Sequence, residues 1–329
     1  MTTKISVVIC TRDRSDLIGQ AVESVASCEY ALFDLHVMDQ STDDSTRGVV
    51  VDLQEKFADR CVIHYHHLAQ AGLSRAYNAG FRVSDGPVVA CTDDDVVVPA
   101  DWLARIARSF DSDPQLGLLY GQVLVPPSLV PLDPDTIVPS LVWSSRQRLH
   151  TTSHNFKVWG MGANMAIRRS AMDTVGGFDE MMGGGAPLRS SQDFDFALRA
   201  YRADFAVLLD PAVTVDHYGA RTTTQWPSTL VAYGIGDGAF FGKHIRCRDA
   251  LATWLFIKKV AQIVGKAGAE SVRQRKRVGF TEYGRNIFTG LRLGAQYDVD
   301  RPSRLYREND RARSGVTEAN ADAGARRTA

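Results

Sequence analysis

The amino-acid sequence predicts an α/β fold built on a Rossmann-like, mainly parallel sheet. Apolar, β-branched runs alternate with helix-like stretches over the first half of the chain, the pattern of strands joined by crossover helices. The residues that directly follow those runs are polar and acidic, as expected where the carboxyl ends of parallel strands border a ligand crevice. At 329 residues, 44% hydrophobic and 23% charged, the chain has the composition of an ordinary globular protein with a sizeable core.

Strands are expected at 5–10, 35–39, 62–66 and 88–92, each short, apolar and bounded by polar residues. Helices are expected near 16–27, 45–57, 73–83 and 102–109, with Asp101 placed to cap the last of them. After Gly121 a Pro-rich stretch, from Pro126-Pro127 to Pro139, reads as a connection over the surface. The second half holds Gly160-Met161-Gly162-Ala163-Asn164, Gly176-Gly177-Phe178-Asp179 and Gln192-Asp193-Phe194-Asp195. Between the last two, Gly183-Gly184-Gly185 suits a mobile lid. From about Leu251 the pattern turns helical, and the last twenty or so residues, polar and rich in Arg and Ala, are expected to be disordered.

Several classes are disfavoured by composition. The N-terminal apolar stretch ends in charged residues without a small-residue cleavage site, so it reads as a first strand and no export is expected. Apolar runs stay short of the ~18 residues that span a bilayer. Cys10, Cys28, Cys61, Cys91 and Cys247 lack CxxC spacing, which argues against a disulfide framework or a thiolate zinc site and for a cytoplasmic home. The formal charge of +0 hides an asymmetry, with 19 Lys+Arg against 9 Asp+Glu from Lys243 onward and 19 against 29 before it. An acidic body disfavours nucleic acid as a partner, whereas a basic appendage suits an anionic membrane surface.

Asp93-Asp94-Asp95 ends the fourth expected strand. Three successive carboxylates repel one another unless a cation or hydrogen-bond donors compensate. Hard cations such as Mg²⁺ or Mn²⁺ take carboxylate oxygens and keep positions open for phosphate oxygens. A solvated acidic turn is the competing reading.

A series of motifs then resembles the family 2 glycosyltransferases of the GT-A fold. It comprises Val7-Val8-Ile9-Cys10-Thr11-Arg12-Asp13-Arg14, Asp39-Gln40-Ser41, Gly72-Leu73-Ser74-Arg75-Ala76-Tyr77-Asn78-Ala79-Gly80, Thr92-Asp93-Asp94-Asp95, Gly177-Phe178-Asp179-Glu180 and Gln192-Asp193, in family order. The resemblance implies a mixed, mainly parallel sheet flanked by helices, with a helical C-terminal extension. It divides the chain into a nucleotide-sugar-binding half (1–120), an acceptor-binding half of the same domain (121–245), the extension (246–306) and a tail (307–329). The implied activity is transfer of a sugar, with inversion, from a nucleoside diphosphate, preferably a UDP-sugar, to a hydroxyl of a saccharide, lipid-linked or other acceptor.

Residue by residue, the resemblance puts Thr11, Arg12, Asp13 and Asp39 at the nucleoside and Arg75 and Asn78 toward the nucleotide sugar. Asp93 and its neighbour Asp94 fall on the donor side. Asp95 would hold the divalent metal, Mn²⁺ or Mg²⁺, and Asp193 matches the general base. His217, at the end of an apolar strand, matches a further metal ligand or phosphate contact, with a packed histidine as the competing reading. Gly162 and Asn164 match the acceptor side, against a Gly-lined turn that begins a helix at Ala166. Gln192 stands where the family usually has Glu, which bears on an acceptor contact, and Gln40 stands where an acid is frequent.

The remaining candidates have blander readings. His64 and His66 share one face of a strand with His67 adjacent, and without an acid or cysteine at fixed spacing they read as a solvated strand end rather than a zinc site. Asp195 is expected to pair with Arg199 at i,i+4. Trp159, beside glycines, reads as core rather than a sugar platform. The Trp254–Val264 stretch with Arg273-Gln274-Arg275-Lys276-Arg277 suggests peripheral contact with the inner face of the membrane through 251–277, against a solvated helix or a homo-oligomer surface. A sugar-phosphate nucleotidyltransferase is disfavoured because the loop after the first strand lacks glycine, and a nicotinamide enzyme because GxGxxG is missing. A non-catalytic sugar-binding module would not need Asp95 and Asp193 together.

Overall fold

The computed structural model describes residues 3–150, 160–275 and 279–307. Trp159, Lys276, Arg277 and the tail from residue 308, on which some of these expectations fall, lie outside the described residues.

The chain begins β1 (Ile5–Thr11), α1 (Ser15–Ala26), β2 (Phe33–Asp39), α2 (Ser45–Lys56), β3 (Val62–His67), α3 (Leu73–Val83) and β4 (Val88–Asp93). It continues with β5 (Val96–Val97), α4 (Trp102–Ser112), β6 (Leu116–Leu124), β7 (Thr136–Ile137), β8 (Gln147–Leu149), β9 (Asn164–Arg168) and α5 (Arg169–Val175). Then come α6 (Gln192–Arg202), β10 (Ala206–His217), β11 (Arg221–Thr222), α7 (Trp226–Arg246), α8 (Ala250–Gln274), α9 (Glu282–Gly294), β12 (Asp298–Asp300) and β13 (Leu305–Arg307). Asp101 does precede α4, but its carboxylate bonds to Arg105 one turn on instead of capping the helix.

The chain forms two compact units, one made of the residues up to Phe178 with Asp193–Trp226, the other of Asp179–Gln192 with the residues from Pro227 on. In the first, the strands order as β3-β2-β1-β4-β9-β6-β10-β5, with β8 also on β10. Pairs β1–β2, β2–β3, β1–β4 and β6–β10 are parallel, and β9 runs antiparallel between β4 and β6. A mixed, mainly parallel sheet results. Chain order reverses direction at β1, between β2 and β4, and such a switch point opens a crevice at the strands' carboxyl ends.

Alternation along each strand divides the core. Ile5, Val7 and Ile9 of β1 and Leu35 and Val37 of β2 pack with Ile18 and Val22 of α1 and Val50 of α2. Val8 and Met38 point to the opposite face, where α3 lies so close that a Cβ at Gly80 would meet Val8 Cγ1 at 2.6 Å. Burial of these apolar chains at roughly 25 cal/mol per Å² supplies the main cohesion.

A helix beginning at Ala166, the competing reading for the Gly162–Asn164 segment, does not form, and β9 takes its place. Met165, Ala166 and Ile167 are an apolar run without periodicity, and pairing with both β4 and β6 decides in favour of a strand, so α5 starts only at Arg169.

In the second unit, Asp179 accepts from the Lys243 ammonium at 2.5 Å and from the Tyr306 backbone N–H at 2.9 Å, all three buried. The Asp of the Gly-Phe-Asp-Glu motif is therefore an internal anchor. In the same unit, the glycines at 183–185 lie in a run of turns closed by the Leu188 N–H to Met181 carbonyl bond of 2.9 Å.

Candidate active site

The site lies in the first unit, where β1 and β4 end side by side with Cys10 opposite Asp93. Thr11, the last residue of β1, donates its hydroxyl to Asp94 at 2.7 Å. Arg14 spans two carboxylates, at 2.5 Å from Asp94 and 2.6 Å from Asp95. Asp94 and Asp95 are thus both tied to the first loop.

His217 arrives by strand pairing. The end of β10 runs antiparallel to β5, with His217 opposite Val96, and the Tyr218 N–H bonds to the Asp95 carbonyl at 2.7 Å. His217 Nδ1 lies 2.9 Å from the Pro139 carbonyl, which can only accept, so Nδ1 carries the proton and Nε2 faces Asp95 Oδ1 at 3.4 Å. One ligand atom each of Asp93, Asp95 and His217 lies within 4.8 Å of the others.

This trio fits a divalent cation. Asp95 Oδ1 is buried and has no hydrogen-bond partner. A Cβ at Gly219 would come within 2.4 Å of Asp95 Oδ2 and 2.8 Å of His217 Nε2, so only glycine leaves the space open. Two carboxylates and an imidazole are a donor set that Mn²⁺ and Mg²⁺ accept. Burial, followed by repulsion from Asp95, pushes the Asp93 carboxyl up to about 7, and burial pushes Asp94 up to about 6. Burial opposes ionisation of Asp95 as well, but His217 and Arg14 outweigh it and hold this carboxyl below its ordinary range.

On the nucleoside side, Asp39 is fully buried and accepts from the Ser41 N–H and the Tyr65 hydroxyl, each at 2.8 Å. Asp13 takes a left-handed φ of 53° and accepts from the Thr42 N–H, while Arg12 beside it is exposed. Gln40 ties the loop before α3 in place, donating to the Gln70 and Gly72 carbonyls and accepting from the Gly72 N–H. Arg75 bonds to Gln70 at 2.9 Å. Asn78 clips the backbone of Phe178, donating at 3.0 Å and accepting at 2.8 Å.

Asp193 sits in the first turn of α6, where the positive end of the helix favours a carboxylate. Its Oδ2 accepts from the Gly162 N–H at 3.1 Å, and its carbonyl from the Tyr120 hydroxyl at 2.9 Å. The Tyr77 hydroxyl is 3.4 Å from Asp93, and burial first, with Asp93 and Asp193 among the charges, pushes it well above the phenol range. Gln192 is the buried first residue of α6. Asp195 pairs with Arg199 at 2.8 Å, and Arg199 in turn donates to the Val175 and Gly177 carbonyls.

The sequence profile described as "Glycosyl transferase family 2" matches residues 6–176. The chain belongs to this family. It is 24% identical over 189 residues to the glucosyl-dolichyl phosphate glucuronosyltransferase of Haloferax volcanii, covering 55% of this chain and 57% of that protein. To the beta-monoglucosyldiacylglycerol synthase of a Synechocystis strain it is 22% identical over 236 residues, 64% of this chain and 43% of the relative. An uncharacterized glycosyltransferase of a Nostoc strain is 30% identical over 117 residues, 36% of each chain. The match therefore spans between about a third and just over half of these relatives' lengths.

Among solved structures, the mannosyltransferase PcManGT from Pyrobaculum calidifontis, in complex with GDP-Man and Mn²⁺, superposes with a TM-score of 0.59 at 16% identity over 90% of this chain and 86% of that one. TarS of S. aureus in complex with UDP-GlcNAc gives 0.51 at 16% identity, covering 71% and 66%. The fold is the GT-A fold of glycosyltransferases.

Two features of this family 2 chain are not evident from its motifs. Arg14 is the cation that already neutralises the aspartate run, and the Arg in Thr-Arg-Asp-Arg was its only signal. Asn164, fully buried, donates to the Gln122 and Val213 carbonyls and accepts from the Trp102 indole N–H, so it braces the sheet and turns no free polar atom toward an acceptor.

Proposed function

We propose that the protein is an inverting glycosyltransferase that moves a sugar from a nucleoside diphosphate, preferably a UDP-sugar, to an acceptor hydroxyl in saccharide or glycolipid synthesis. The single observation that carries this is the convergence of Asp93, Asp95 and His217 on one point, with a separate carboxylate, Asp193, at a helix N-terminus. Asp93, Asp95 and His217 hold the divalent cation, Mn²⁺ or Mg²⁺. When bound, this cation neutralises the charge of the departing diphosphate.

Thr11, Arg12, Asp13 and Asp39 line the nucleoside end, and Arg75 faces the sugar nucleotide. Asn78 serves that end indirectly, through its clip on Phe178. Asp94 fixes Thr11 and Arg14, and the Arg14 guanidinium is placed to take phosphate oxygens in exchange for a carboxylate. Asp193, fixed by the Gly162 N–H, accepts the acceptor's proton as the hydroxyl attacks the anomeric carbon from the face opposite the leaving group. Gly162 and Gln192 bound the acceptor side. The exposed apolar side chains of α8 support peripheral contact with an anionic membrane, which favours a lipid-linked acceptor.

The test is release of nucleotide from UDP- and GDP-sugars with and without Mn²⁺. Metal-stimulated release abolished in Asp95→Ala supports the proposal. Asp193→Asn is expected to retain donor binding and cut transfer by a factor on the order of 10²–10⁴. Unimpaired transfer in Asp193→Asn removes this residue as the base, and binding without turnover under every acceptor supports a non-catalytic module instead.

A further inference from the structure

The histidines of β3 are not a solvated strand end. Parallel pairing sets His36 of β2 opposite His64 of β3, and Met38 opposite His66. Because side chains two apart share a face, Asp34 and His36 of β2 and His64 and His66 of β3 gather on one side of the sheet, on the half of β2 away from its carboxyl end. His36 stacks on His64 with ring centres 4.7 Å apart and lies 5.5 Å from His66.

Two buried atoms in this group have no hydrogen-bond partner: Asp34 Oδ1 and His36 Nε2. They face each other at 3.4 Å, and His36 is only 3% exposed. Leaving a buried acceptor unsatisfied costs about 1–3 kcal/mol, so two side by side need an explanation. Their surroundings are arranged to keep them as electron-pair donors. Burial opposes ionisation of Asp34, but His36 and the Lys4 ammonium, 2.8 Å from the other carboxylate oxygen, outweigh it and keep the carboxylate ionised. His66 Nε2 lies 3.2 Å from His36 Nδ1; in the tautomer where His36 donates its Nδ1 proton to His66, the His36 lone pair is on Nε2, the form that a metal ion selects.

We propose that Asp34, His36 and His64 form a second, separate metal site that takes a zinc-type transition ion, with His66 as the outer partner that orients His36. One ligand atom of each of the three lies within 4.8 Å of the others. Ligands on a tetrahedral ion with bonds of about 2.0–2.1 Å stand about 3.3 Å apart, so the Asp34–His36 spacing already fits, whereas His64, half-exposed, must turn out of its stack on His36 to aim a ring nitrogen at the same point. Two imidazoles and one carboxylate select zinc over Mg²⁺, because nitrogen donors suit the softer ion. A solvent molecule completes the set through the exposed side of His64. Among the described residues, β3 pairs only with β2, so an ion bridging the two strands would clip the sheet's outer strand in place.

The test uses the full chain, stripped with a chelator and titrated with Zn²⁺ and, for a visible spectrum, with Co²⁺. His217→Ala is titrated in parallel to separate this site from the catalytic one. The wild type and His217→Ala are expected to bind a zinc equivalent that His64→Ala loses or binds at least ~100-fold more weakly. His66→Ala should weaken it by roughly 10–100-fold, as loss of an outer partner does. Zinc should raise the thermal midpoint of His217→Ala and leave that of the His64→Ala/His217→Ala double variant unchanged. If His64→Ala does not fold, His64→Phe, which keeps a ring against His36, carries the same expectation. Equal zinc stoichiometry and affinity in the wild type and the folded His64 variant would overturn the proposal.

Discussion

At the scale of the residue, the site is a balance of like charges. Asp93 and Asp94, raised to about 7 and about 6, bind protons in the folded protein that the unfolded chain, with carboxyl values near 4, has released. A raised carboxyl contributes stability that is present at pH 4 and lost as pH rises through its folded value. His217 is also raised: burial lowers it, but Asp95 more than compensates, so it acts in the same direction. Asp95, held low, acts in the opposite sense but only in more acid solution. The urea midpoint of the metal-free protein is therefore expected to fall between pH 5 and pH 7.5. Asp93→Asn should flatten that slope. Mn²⁺ affinity should rise over the same interval, because the cation competes with the protons on Asp93 and His217. A flat or rising midpoint in the metal-free wild type contradicts the assignment.

Elements bring these residues together, and α3 shows how tightly. It carries Arg75 and Asn78 on one side and rests on Val8 through Gly80 on the other, with Tyr77 buried on the Gly80 side. Gly80→Ala would force its Cβ into a short, buried valine that has no room to turn, so a loss of about 1–3 kcal/mol is expected in urea unfolding, with Val8→Ala recovering part of it. A stability equal to the wild type would mean that α3 shifts freely on the sheet. Such contacts also mark what the sequence leaves legible. Sequence pattern places β1–β4 and α1–α4 to within a few residues, because the helices bury one apolar face and the strands are short apolar runs, buried on both faces in β1, β2 and most of β4, bounded by polar residues. It fails at Asn164–Arg168, where a short apolar run suits helix and strand alike and the partners β4 and β6 decide. Of the candidate metal group, Asp95 and His217 are legible as ligands, because the aspartate run and the strand-end histidine each carry a local signal, whereas Asp93 reads only as a donor-side residue until the structure brings it beside them. Arg14 across Asp94 and Asp95, Asn78 on Phe178 and His36 against His64 are pairings over 28 to 100 residues of chain, invisible until strand register is known. The histidines illustrate the cost: β3 alone shows no acid, whereas β2 brings Asp34 beside it.

At the scale of the whole molecule, the excess of base after Lys243 coincides with the helix that exposes apolar surface. Among the described residues no helix is long and apolar enough to cross a membrane. Helix α8 nonetheless leaves Trp254 53%, Ile257 61%, Val264 52% and Val272 80% exposed, and at 100° per residue these four fall within one narrow stripe. Lys258 lies over the Trp254 ring at the edge of that stripe. On the opposite face of α8 a groove of ≈ 560 Å³ is lined by Lys259, Lys266, Glu270, Arg273 and Tyr283. Apolar surface bordered by a lysine, on a helix rich in further cations, is the composition that inserts at an anionic lipid interface, each basic residue near the lipid contributing about 1 kcal/mol and salt screening the attraction. The full chain is expected to co-sediment with vesicles containing anionic lipid at low salt, to be released at high salt, and to ignore neutral vesicles. Each of Trp254 and Ile257 adds about 1.5–3 kcal/mol when buried, so replacing both by Ser should weaken binding by at least about tenfold at constant salt. A chain that stays in the supernatant at low salt, and sediments as a dimer that the same double variant dissociates, would assign the stripe to contact between copies and remove the reason to prefer a lipid-linked acceptor.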